Sequence, residues 1–101
     1  AELDLLKGAS EIFRQPVPPV MVIEMALEQT RHFGYLPNDL IEFISSKAHY
    51  DFFKIDEVGE YVVPIDHFEA DDIGANVLCL PKAATKVRNS IQDLLRPTNA
   101  G

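Results

Sequence analysis

Three prolines in four positions, Pro16, Pro18 and Pro19, divide the chain near its amino end. Each holds φ at about −65°, removes an amide donor, and disfavours helix in the residue before it. Residues 15–19 therefore predict a stiff, extended connector. What folds before it is a different element from what folds after it.

On the amino side, Leu5, Leu6, Ala9, Ile12 and Phe13 recur at helical spacing, with Glu2, Asp4, Lys7 and Glu11 on the other side. This spacing predicts an amphipathic helix over 2–14, weakened by about 1 kcal/mol at Gly8. On the carboxyl side, Val20, Met21, Val22, Ile23, Met25, Ala26 and Leu27 form a nearly unbroken apolar run, marked by Glu24 and Glu28. With Pro19 at a first turn and Gly34 just past the end, residues 19–33 read as a second helix, central and covered on more than one side. Asn38 is a suitable N-cap for a third helix over 39–49, whose buried stripe is Leu40, Ile41, Ile44 and Ala48. Two helices joined through Tyr35, Leu36 and Pro37 make an αα-hairpin.

The period then changes from helical to alternating. Residues 52–55 and 60–65 are aromatic and β-branched on either side of an acidic turn that contains Gly59, which predicts a β-hairpin. Pro64 sacrifices a ladder hydrogen bond, so the second strand ends there or lies at an edge. Asp66 and Glu69 have capping-box spacing, which predicts a helical turn towards Ile73. Residues 76–80 form a third short strand, and Pro81 opens a last helix that runs to Arg96 and is stopped by Pro97. The expected fold is α+β: four helices, with a small antiparallel sheet of two or three strands between the third and the last. It spans 1–101 as one domain: helix 1–14, connector 15–19, a compact core 20–96 and a tail 97–101.

Composition removes several classes. With 101 residues, 47% hydrophobic and 25% charged, the chain is neither disordered nor large enough for two cores. No apolar run approaches the roughly 18 residues of a membrane span. The single cysteine, Cys79, has no partner for an internal disulfide. Ala1 in place of a Met reads as a trimmed or excised chain, and Glu2 and Asp4 stand where a secretory signal carries Lys or Arg. Together these place the protein inside the cell, in the cytoplasm.

The formal net charge is −7, but it is unevenly spread. Residues 51–72 carry Asp51, Asp56, Glu57, Glu60, Asp66, Glu69, Asp71 and Asp72 against Lys54 alone, whereas 82–96 carry Lys82, Lys86, Arg88 and Arg96 against Asp93. An acidic middle repels nucleic acid and steers basic partners.

Motifs for chemistry are weak. The acids between 66 and 72, with His67, follow no known metal loop, and helix caps or a solvated face explain them better. His32, His49 and His67 share no ligand spacing and sit beside aromatic residues. Cys79 lies in an apolar run and reads as an inert core thiol. Ser45 and Ser46 lack a nucleophile elbow, and the scattered glycines form no phosphate loop. The string from Ile91 to Leu95 has the Ile-x-x-Leu-Leu form of a groove-binding helix, but ordinary core packing explains it as well.

The expected function is a non-catalytic interaction module: a small acidic adaptor, regulator, chaperone-like or inhibitor protein. It would bind another protein, basic in character, through Asp56, Glu57, Glu60, Asp66 and Glu69. No catalytic residue, metal or cofactor is expected, and the N-terminal helix offers a route to a homo-oligomer. The alternative is a winged-helix-like, helix-turn-helix-like nucleic-acid module that grips phosphate through Lys82, Lys86 and Arg88. Its would-be recognition helix and wing carry the wrong charge for that task. A small metal-binding or enzymatic domain comes third.

Overall fold

The computed structural model describes residues 10–27, 32, 34–69 and 72–96. Its frame is one four-stranded antiparallel sheet in the order β1-β4-β2-β3, where β1 is Met21–Ala26, β2 Tyr50–Asp56, β3 Tyr61–Ile65 and β4 Gly74–Pro81. Among the described residues, α-helices α1 (Pro37–Lys47) and α2 (Thr85–Ser90) accompany it. The expected arrangement of four helices around two or three strands is therefore overturned.

The main correction is at 19–33. The apolar run there is an extended strand over Met21–Ala26, with Ile23 and Met25 buried and Val22 and Glu24 exposed in strict alternation. A short apolar run has no period of its own to separate helix from strand. Here the β-branched Val22 and Ile23 favour the pleated form, and β4 supplies a partner. The first half of the expected helix over 19–33 is thus a strand; Leu27 and His32 are helical, and residues 28–31 and 33 lie outside the described residues.

Other elements shift for local reasons. Helix α1 starts earlier than expected: Leu36 is its N-cap, and the Asp39 carboxylate accepts from the Leu36 N–H at 2.7 Å. Asn38, freed from capping, faces the 66–69 loop instead. The last helix is shorter: Pro81 closes β4, α2 ends at Ser90, and a 3-10 turn follows at Gln92–Leu94. No helical turn forms at 66–69. Of the first expected helix, residues 1–9 lie outside the described residues, and Ser10–Arg14 is a 3-10 helix. Phe13 from that turn is buried, packing edge-to-face on Phe43 and Tyr50 at 6.5 and 6.0 Å between centroids. Phe13 thus belongs to this core, with Ile12 packed against it.

Strands β1 and β2 both run antiparallel to β4, hence parallel to each other, and α1 lies within the crossover between them. Helix α1 covers one face of the sheet, where Leu40, Ile41 and Ile44 meet Ile23, Met25, Phe52 and Val77. On the other face, Phe53, Val62, Leu78 and Leu80 are covered by Ala84, Ile91 and Leu95. The connector is fixed at its far end, where the Tyr50 hydroxyl donates to the Pro19 carbonyl at 2.7 Å.

The backbone register follows from one bond outside the ladder. The Lys82 N–H donates to the His49 carbonyl, which aligns the even residues of β4 with β2 and leaves the odd ones for β1. Pro81 is odd and lies beyond the first residue of β1, so its missing N–H costs no ladder bond. Gly74 stands opposite Ala26 with φ +104°, and a Cβ there would strike the backbone of Met25 and sit 2.7 Å from the Ala26 Cα. Gly74→Ala is expected to lose roughly 1–3 kcal/mol of stability, read as a lower midpoint in urea unfolding.

Candidate functional site

The structure sorts the eight acids of 51–72 by what holds them. Asp51, on β2, pairs with Arg88 at 2.9 Å and stands 3.8 Å from Lys82, tying the α2 segment to the sheet. Arg88 also donates to the Pro81 carbonyl at 3.3 Å. Asp72 pairs with Lys54 at 2.7 Å, and that ammonium also lies over the Phe68 ring. Burial would raise the Asp72 carboxyl, but the Lys54 ammonium and the Gly74 N–H outweigh it and hold it below the ordinary value. Asp71 lies outside the described residues.

The five acids expected to bind a partner fall into two groups, one at each end of β3. Asp56, Glu57 and Glu60 form the turn of the β2–β3 hairpin, and none has an ion-pair partner among the described residues. Asp56 accepts from the Gly59 N–H at 2.8 Å, and this bond, with the Tyr61 hydroxyl, lowers its carboxyl below the ordinary value. Glu60 has a left-handed backbone, φ 57°, the one described non-glycine residue that does. At the other end, Asp66 and Glu69 hold the two nitrogens of His67, with 2.5 Å to Nδ1 and 3.1 Å to Nε2. The capping role expected for Asp66 and Glu69 is thus replaced by a shared imidazole.

A trough along β3 joins the two groups. Its tip half, about 500 Å³, is lined by Asp56, Glu57, Tyr61 and Asn76, and its loop half, about 520 Å³, by Asp66, His67, Glu69 and Asp72. Both halves share Lys54 and Val63. The loop end is anchored by Asn38, which donates to the Phe68 carbonyl at 3.0 Å and accepts from the Phe68 N–H at 2.6 Å. That reciprocal pair copies one rung of a β-ladder and keeps Phe68 buried.

Two site features escape a reading of the sequence. The topology brings Glu24 to the acidic tip, because β1 and β2 flank β4: Glu24 stands opposite Asn76, whose amide donates to Glu57 at 2.7 Å. No spacing relates residues 24 and 57. The same end of the sheet also carries Val58 and Ile73, which are 99% and 80% exposed.

The residues of the phosphate alternative are mostly engaged. Arg88 and Lys82 face Asp51, and Lys86 alone has no ion-pair partner among the described residues. Cys79 is wholly buried in the centre of the sheet, and burial pushes its thiol up to about 12, far from a nucleophile's range. Among the described residues, no three His, Cys, Asp or Glu side chains are placed to hold a metal ion, and no helix is long and apolar enough to cross a membrane. Comparison with known proteins finds no matching family, no matching curated protein and no matching solved structure.

The hydrogen bond from Asp66, its charge and the charge of Glu69 raise the His67 imidazole above its ordinary 6.5. A group raised on folding stabilises the fold fully below its unfolded value and loses that contribution as pH rises through the folded one. His67 is expected to titrate above 6.5 in the native protein and to fall back towards it in Asp66→Asn, as read from its ring-proton shifts across pH.

Proposed function

We propose that the protein is a non-catalytic interaction module of the cytoplasm, an adaptor, regulator, chaperone-like protein or inhibitor that holds a basic partner protein along β3. The observation that carries this reading is the distribution of cations. Lys54, Lys82 and Arg88 are committed to Asp72 and Asp51, where they secure the fold. Asp56, Glu57 and Glu60 have no cation partner among the described residues, and Asp66 and Glu69 share one imidazole. A domain that needed its acids only for solubility would have no reason to line a trough with Asp56, Glu57, Asp66 and Glu69. Concentrated at both ends of one strand, they favour encounter with a basic surface and set its orientation.

Glu60 adds support. A side chain in the left-handed region costs about 1 kcal/mol relative to glycine, and the Glu60 carboxylate has no hydrogen bond or ion pair among the described residues. A charge kept there at a cost to stability fits a role outside the fold.

Two measurements test the reading. Tagged protein is used to capture partners from source cells at low and high salt, with protein and nucleic acid scored together. A salt-sensitive protein complex is expected, weakened by about tenfold when Asp56, Glu57 and Glu60 become amides and unchanged in Lys86→Ala. Recovery of nucleic acid that is lost in Lys86→Ala would overturn it. Separately, Glu60→Gly is expected to raise stability by about 1 kcal/mol while weakening the complex. An equal or tighter complex from that more stable variant would count against the acidic tip.

A further inference from the structure

We infer that the free edge of β1 is a docking site for an extended, basic segment of a partner protein, which adds to the sheet as a fifth strand. The two edges of the sheet are unlike. On β3, Pro64 removes a donor, and the Arg96 N–H takes the Val62 carbonyl in a parallel bridge formed by Leu95. On β1 there is no proline, no lysine and no bulge, and no described segment pairs with its outer side.

The register shows what this edge presents. Met21, Ile23 and Met25 are odd and spend their backbone groups on β4, so the N–H and C=O of Val22 and Glu24 point outward. An added strand can make two hydrogen bonds at each. Their side chains rise on the sheet face away from α1, at the end that residues 84–95 do not cover. Val22 is 62% exposed, a shelf for an apolar side chain. Beyond it, Glu24 and Glu57 flank Asn76, with no cation within ion-pairing range among the described residues. An incoming strand that alternates an apolar residue over Val22 with Lys or Arg over Glu24 matches both features, main-chain pairing supplying affinity and the charge supplying direction.

Glu57 and Asn76 border both this site and the trough along β3, but Val22 and Glu24 belong to this site alone, and one titration separates the two. A capped peptide of about nine residues, alternating lysine with valine and threonine, is added to the intact protein and followed by backbone amide NMR. Saturable shifts centred on Val22 and Glu24 are expected, with affinity reduced about tenfold by Glu24→Lys. A peptide of the same sequence, N-methylated at alternate residues to block pairing, is expected not to bind. Equal binding by the methylated peptide, or no saturable shift at β1, would overturn the proposal. Shifts confined to 56–69 would overturn it while leaving the trough reading intact. A dimer in light scattering without peptide, with the β1 amides broadened by concentration, would overturn it in favour of a second copy on this edge.

Discussion

Strand β4 lies between β1 and β2 and is buried from Val77 to Pro81, so both ladders that close the sheet over long sequence separations run through it. The β2–β3 hairpin pairs locally across a short turn. Strand β1 is different: more than forty-five residues separate it from its one described ladder partner, and until β4 arrives it has nothing to pair with. Loop closure on that scale precedes any reward in hydrogen bonds, which makes the docking of β4 the step on which the native sheet waits. Both cores meet there. Val77 and Cys79 face α1, Leu78 and Leu80 face the α2 segment, and Gly74 lets the strand begin tight against Met25 and Ala26. The same burial that makes β4 central also keeps the Cys79 thiol protonated and unreactive.

Charge in this molecule is divided between two tasks by position along the strands. Asp51 and Asp72 are partly buried and sit where a loop or helix must be fastened, and each has a cation. In such sites the attraction is screened less than at the surface, and loss of one partner would strand the other. Asp56, Glu57, Glu60 and Glu24 sit at the end of the sheet, where solvent screens them and the fold gains little from neutralising them. Net charge of −7 is therefore a poor guide by itself. What separates structural from available acids is whether the chain has placed one of its few cations beside them.

The sequence reveals local chemistry more faithfully than tertiary pairing. The hairpin of β2 and β3 is legible because Asp56 to Glu60 supplies turn residues between aromatic and β-branched runs, and Pro64 correctly marks an edge. The stripe Leu40, Ile41 and Ile44 identifies the buried face of α1, and Cys79 shows its core character through Val77, Leu78 and Leu80. The strand at Met21–Ala26 is illegible for a physical reason: it reads as a greasy helix because flanking Leu27 and Val20 hide the alternation of buried Ile23 and Met25 with exposed Val22 and Glu24. That error distorts the topology more than any other. With β1 taken for a helix, the sheet loses a strand and Glu24 is left far from the acidic tip. Asn38 shows a subtler limit, since its residue type suits capping equally well, and only the fold shows that its amide holds Phe68 instead.

The strand order has a consequence for recognition that neither the hairpin nor the helix would have alone. Inserting β4 between β1 and β2 places the end of β1 beside the turn of the hairpin, so a hydrophobic N-terminal strand and an acidic loop share one end of the sheet. A protein that carries an unpaired strand edge normally blunts it, because an open ladder invites indiscriminate pairing. The β3 edge is blunted by Pro64 and by the chain's own Leu95 and Arg96. Among the described residues, the β1 edge has the negative charge of Glu24 and its neighbour Glu57 alone. Such a charge repels a second copy of this acidic chain and most acidic proteins, yet attracts a basic strand. It acts as a filter on what may pair: the edge stays open to one class of partner and is closed to the commonest alternatives.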